Sequence, residues 1–320
     1  MEYRKLISFG KNSYVVSLPK VWVKQNKLKK GDLVSLEEKG NNLLLSMRDD
    51  KEIEEKTKVI PVDGKSVRRL QREIISAYIR DYKSIVLTGN EIKDKAQSIQ
   101  STIQNLMALE VMEQTSKKIL ARDFLDMNTI SIFNLLRKVD VILRAMIEDC
   151  EKMFVEDNYD SIELRDSDIN RLVFLIFRTV EFGMGNASFM LKKHNLTSQQ
   201  LLHLWWFAFN MESTADEVKR IARYMKQVKL DKKQQEGFLK LLSGAKDKYT
   251  GVMKAFYNHD EDLAHAMLES KEEVIRACEL FYQENKKVEN LGVLVERLKS
   301  IISGVHNLAR VVYQSDFVPS

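Results

Sequence analysis

The 320-residue sequence predicts a multi-domain chain: a short β unit, a small α/β connector and a long all-α region. Three observations predict it. Short strand-like runs broken by turn residues fill the first 46 positions. Strand and helix patterns then alternate to about residue 126. Beyond 127 no proline occurs until Pro319, and apolar residues recur at heptad spacing. The boundaries read as 1–47, 48–126 and 127–320.

In the first part, residues 3–9 and 13–18 run as short strands, and Pro19 stops the second because proline cannot donate to a ladder. "KVWVKQNKL" (20–28) gives one or two helical turns. "KKGDLVSLEEKGNNLLLS" gives two strands joined at Gly40-Asn41-Asn42, residues that supply the positive φ of a tight hairpin. A unit this small needs a partner chain to bury a useful core. In the connector, "TKVIPV" and "YKSIVLTG" read as strands, "SVRRLQREIISAYIRD" and "IKDKAQSIQSTIQNLMALEVM" as helices, and "KKILARDFL" as a third strand.

The helical part shows three seams, Ile132 to Cys150, Leu204 to Met225 and Leu291 to Val312, each with apolar residues four and three apart. Six helices are expected, near 128–154, 160–193, 198–227, 231–257, 260–285 and 288–315. Thr197-Ser198-Gln199-Gln200 has the form of a capping box at the start of the third. The lengths suggest two repeated three-helix bundles, about 127–228 and 229–316.

With 44% hydrophobic and 30% charged residues, the composition is that of a soluble globular chain. The longest apolar runs, such as "LVFLIF" (172–177), are too short to span a bilayer, so no membrane insertion is expected. "MEYRKLISFG" has no apolar h-region, and Cys150 and Cys278 read as buried thiols of a reducing cytoplasm. The net charge is +5, and all of it is local: residues 1–46 hold nine basic and four acidic groups, while the rest balances. Such an excess on a small unit points to a polyanion.

"FGKNSYVVSLPKVW" followed by "LKKGDLVSLEEKGNNLLLS" resembles the SpoVT/AbrB swapped-hairpin DNA-binding domain, through Gly10, Ser13, Leu18, Pro19, Lys20, Gly31 and Asp32. The resemblance implies a homodimer whose hairpins interleave into one β barrel. Carried over by position, Arg4, Lys5, Lys11, Lys20 and Lys24 would face DNA phosphates, lysine acting as a point charge without base specificity. The same lysines could simply keep a small barrel soluble.

"NMESTADEVKRIARYM" (210–225) resembles the acidic motif of the PhoU family of phosphate-uptake regulators, whose doubled three-helix bundles match the span 127–316. Glu212 and Asp216 lie one turn apart on one helical face. The resemblance implies one cluster of iron or another divalent or trivalent cation on them, with Asp166 of "RDSDINRL" completing it. The alternative is a set of ion pairs to Lys219 and Arg220. In the second bundle "LKSIISGVHNLARV" puts Lys299 and Ser303 at the acidic positions, so at most one cluster per chain is expected.

Two functions follow as expectations. One is a DNA-binding regulator of phosphate uptake, its barrel on DNA and its bundles sensing or docking. The other is an adaptor that docks on a phosphate transporter ATPase or signalling protein, its barrel serving only to dimerise the chain. Catalysis is not expected: there is no phosphate-cradling P-loop, H-E-x-x-H or G-x-S-x-G, and "GMGNAS" (183–188) lies within a helix.

Overall fold

The computed structural model describes residues 3–11, 13–39, 42–47 and 56–315. The chain divides into two compact units, Met1–Glu55 and Lys56–Ser320.

The first unit holds two antiparallel ribbons. β1 (Ile7–Phe9) pairs with β2 (Ser13–Val15), the chain turning through Gly10 at φ +71°, a conformation glycine adopts without strain. β3 (Val34–Lys39) pairs with β4 (Asn42–Met47) in register from Val34 opposite Met47 to Lys39 opposite Asn42. The predicted turn residues Gly40 and Asn41 lie outside the described residues. Between the ribbons stands α1 (Lys20–Gln25), with Pro19 at its N-cap. The first two strands are shorter than the sequence suggests, because each finds only three partners on the other. No residue of α1 is buried, and within one chain the strands remain two separate two-stranded sheets.

The connector is a four-stranded sheet in the order β5-β6-β8-β7. β5 (Thr57–Pro61) and β6 (Ser84–Thr88) are parallel, joined through α2 (Val67–Ile79); β8 (Lys118–Asp123) runs antiparallel to both β6 and β7. One expectation is corrected here. The helix read over 92–112 ends at Gln104 as α3 (Ile92–Gln104), and Leu109–Gln114 forms β7. Ala108 at φ +60° breaks the helical path, and β8 supplies a ladder that "LEVMEQ" satisfies better than another helical turn would. Ile60, Ile85, Leu87, Ile119 and Ala121 pack beneath Leu70, Ile74, Ile99 and Ile103 of the two helices.

After a 3-10 turn at Met127–Thr129 come the bundle helices: α4 (Ile132–Glu151), α5 (Tyr159–Gly185), α6 (Ala187–His194), α7 (Ser198–Met225), α8 (Lys232–Asn258), α9 (Glu261–Glu269), α10 (Lys271–Glu284) and α11 (Leu291–Tyr313). The second and fifth expected helices are each divided, at Asn186 and Ser270. The Thr197–Gln200 capping box is formed, and Asp231–Gln234 forms a second. Every residue of the three predicted seams is buried. α4, α5 and α7 pack together, α8 to α10 pack around α11, and α7 against α11 joins the two groups. That crossing is close: a Cβ on Gly304 would lie 2.7 Å from Thr214 Oγ1.

The connector and the bundle form one compact unit with two hydrophobic cores, and Phe174 of α5 packs against the smaller. Among the described residues no helix is long and apolar enough to cross a membrane.

Candidate functional site

Two groups of residues carry the functional expectations. In the first unit Lys5 precedes β1, Lys11 sits in the β1–β2 turn, and Lys20 and Lys24 stand one turn apart on α1; all four are exposed, as is Arg4. The structure thus groups Lys20 with Lys24 on one helical face, and Arg4, Lys5 and Lys11 around the first ribbon. Lys29 and Lys30 add charge before β3, where Asp32 accepts a hydrogen bond from the Lys29 amide at 2.7 Å.

The same unit exposes apolar side chains that a soluble monomer would bury. Ile7 is 58%, Phe9 69% and Leu36 60% exposed, with Leu6, Tyr14, Val21 and Leu33 similarly open. No side chain described between Tyr3 and Leu45 is buried. Exposed apolar side chains in this number mark an interaction surface.

The acidic group lies on the bundle. Asp166 of α5 is buried, and it meets Lys219 of α7 in an ion pair; the same ammonium lies 3.0 Å from Asp216. Arg220 reaches the other oxygen of Asp216 at 3.0 Å and also pairs with Glu217, while Asn170 donates to Asp166 at 3.4 Å. Burial opposes the charge of Lys219, but hydrogen bonds to Asp166 and Asp216 outweigh it and raise its pKa. The structure therefore brings Asp166 and Asp216 together around a lysine, with Glu212 near both carboxylates. The Lys219 ammonium stands between Asp166 and Asp216, the ion-pair alternative of the sequence reading, and among the described residues no three carboxylate, imidazole or thiol groups are placed as ligands.

Glu212 has no such ion pair among the described residues. Burial first, then the carboxylates of Asp216 and Asp166, push it up to about 6 from 4.5. A raised acid pKa means the folded state holds the proton more tightly than the unfolded chain. Ionised Glu212 therefore destabilises the fold above about pH 6, and this penalty disappears below the unfolded value. Glu212→Gln is expected to stabilise the protein by about 1–2 kcal/mol at pH 8 and to change little at pH 4.5. Urea unfolding at the two pH values checks this; no gain at pH 8 would show that another cation already compensates the carboxylate.

Sequence reasoning misses Arg178. It is fully buried on α5, 2.6 Å from Asp81, 2.5 Å from Asp123 and stacked 4.6 Å from the centre of the Tyr78 ring. Lys83 also reaches Asp123, at 2.8 Å. This cluster ties the connector to the bundle. The available signal was an arginine following the apolar run 172–177. The cysteines are buried as expected, and burial pushes Cys278 up to about 11 and Cys150 higher still.

Residues 7–52 match the family model described as antidote-toxin recognition MazE, bacterial antitoxin. No curated protein and no solved structure matches the chain. The matched segment overlaps most of residues 1–46, where the surplus positive charge lies, and the match supports an N-terminal DNA-binding domain.

Proposed function

We propose that this chain is a DNA-binding regulator that acts as a homodimer through its first unit. One observation carries the reading: the segment matching the MazE family model lies in the part of the chain that holds the surplus positive charge, and it exposes Ile7, Phe9, Tyr14, Val21, Leu33 and Leu36. Two copies interleaving their ribbons would bury Ile7, Phe9 and Leu36 in a shared barrel and leave Lys20 and Lys24 on the outer face. Lysines without a planar fork position the protein on phosphates and leave sequence to other groups. The bundles then serve as the sensing or docking part, and the likeness of residues 210–225 to the PhoU motif is what supports a response to phosphate supply.

The match also favours a second reading, an antitoxin whose remaining surface holds a partner protein. Mobility-shift titration with promoter fragments tests the DNA binding that both readings share, and co-purification of a second protein in fixed ratio with the chain would favour the antitoxin. Lys20→Ala/Lys24→Ala is expected to weaken binding to all sequences about equally, and to lower the salt slope by about two phosphate contacts per chain, about four per dimer. An unchanged slope would place both lysines away from DNA.

A further inference from the structure

The charge balance of residues 47–320 conceals a second basic site. β5 is an edge strand, and between it and α2 lies a recess of about 530 Å³. Its charged lining is Lys58, Lys65, Arg69, Arg72 and Arg80 against Glu73. Arg69, Arg72 and Arg80 follow the three-and-four spacing of one face of α2, Arg80 at its C-cap. Glu73 pairs with Lys65 at 2.6 Å and with Arg69 at 3.0 Å. Arg72 and Arg80 have no carboxylate within ion-pair distance among the described residues. Lys58 lies 5.9 Å from the centre of the Tyr82 ring, at the wall of the same recess.

We propose that this recess binds a short oligophosphate chain, either free or as the tail of a nucleotide. Five cations against one carboxylate leave a surplus that a single phosphate, at about −1.5 to −2, does not neutralise. A chain of two or three phosphates does. Arginine forks offer paired N–H donors suited to phosphate oxygens, and three of the five cations are arginines. The recess is concave, so it encloses a compact anion, whereas a duplex presents its phosphates along an extended backbone. A plainer account exists for part of the set: a lysine on an edge strand discourages strand pairing, and a cation at a helix C-terminus favours the dipole. That account leaves Arg72 unexplained. It also fails to explain why like charges gather on one helical face, an arrangement that destabilises the free protein.

Titration calorimetry of the full chain with sodium tripolyphosphate at constant ionic strength tests the assignment, with ATP as a second arm. One site per chain is expected. Arg72→Gln/Arg80→Gln should weaken it about a hundredfold, roughly tenfold for each arginine removed. Lys93→Gln/Lys117→Gln, the same charge loss elsewhere on the connector, should leave it unchanged. Thermal unfolding supplies an independent readout: without ligand the arginine variant should be at least as stable as the wild type, whereas a merely structural role would lower its stability. Tighter binding of ATP would seat a nucleoside against Tyr82, and equal binding would make the phosphate chain the whole ligand; both support the assignment. Absent binding, equal weakening in both charge variants, or binding of duplex DNA alone would overturn it. Lys20→Ala/Lys24→Ala, which removes the proposed DNA contacts, should leave this titration unaffected.

Discussion

Arg178→Met is expected to destabilise the unit of residues 56–320 by about 3–5 kcal/mol. The guanidinium is fully buried and joins Asp81 of the connector to Asp123 at the end of β8, with the Tyr78 ring stacked on it. Methionine fills much of the volume but leaves the Asp123 side chain, itself without exposure, facing apolar surroundings. Lys83 remains 2.8 Å from Asp123, which places the loss toward the lower end of that range. Asp123→Asn in the methionine background should recover part of it, because a neutral amide is less costly to bury than an unpaired carboxylate. Denaturant unfolding of the three proteins decides the matter. A loss under about 1 kcal/mol for Arg178→Met would show that the cluster is not what holds the connector to the bundle.

Ile7→Asp combined with Leu36→Asp is expected to abolish dimerisation through the first unit and, with it, DNA binding. Both side chains are more than half exposed in one chain, and both belong to the surface that the proposed barrel covers. Burying an isoleucine or leucine contributes about 1.5–3 kcal/mol, and in a symmetric dimer each substitution acts twice. A carboxylate at the same place adds a desolvation penalty, so the association constant should fall by several orders of magnitude. Light scattering of the full chain, with Lys20→Ala/Lys24→Ala as the comparison, separates the effects: the lysine variant should keep its mass with weakened DNA binding, and the aspartate variant should lose both. Unchanged mass and unchanged DNA binding in the aspartate variant would sink the shared-barrel reading.

Much of the architecture was legible from spacing alone. Heptad seams such as Leu204 to Met225 located the helices to within a few residues because a bundle helix must turn its apolar side inward, and each seam residue is in fact buried. The Thr197 cap was legible for the same local reason: its side chain bonds to its own helix. Locality also marks where the reading failed. "LEVM" scans as the end of a helix, and only the neighbouring β8 makes it a strand. Among the site residues, the one-turn spacing of Glu212 and Asp216 was readable, but the lysine between Asp216 and Asp166 depends on how α5 meets α7. The partners of Arg178 lie 97 and 55 positions away, beyond any periodicity.

By itself, then, the sequence determined the β, α/β and all-α order of the chain, the helix faces and the basic character of its first unit, since these rest on residue type and short-range spacing. Only the tertiary structure decided that Lys219 compensates Asp166 and Asp216, that Arg178 joins the two cores and that the cations of α2 converge with Lys58 of β5. Each of these depends on which distant side chains the packing brings within a few ångströms, where desolvation makes charge pairing strong.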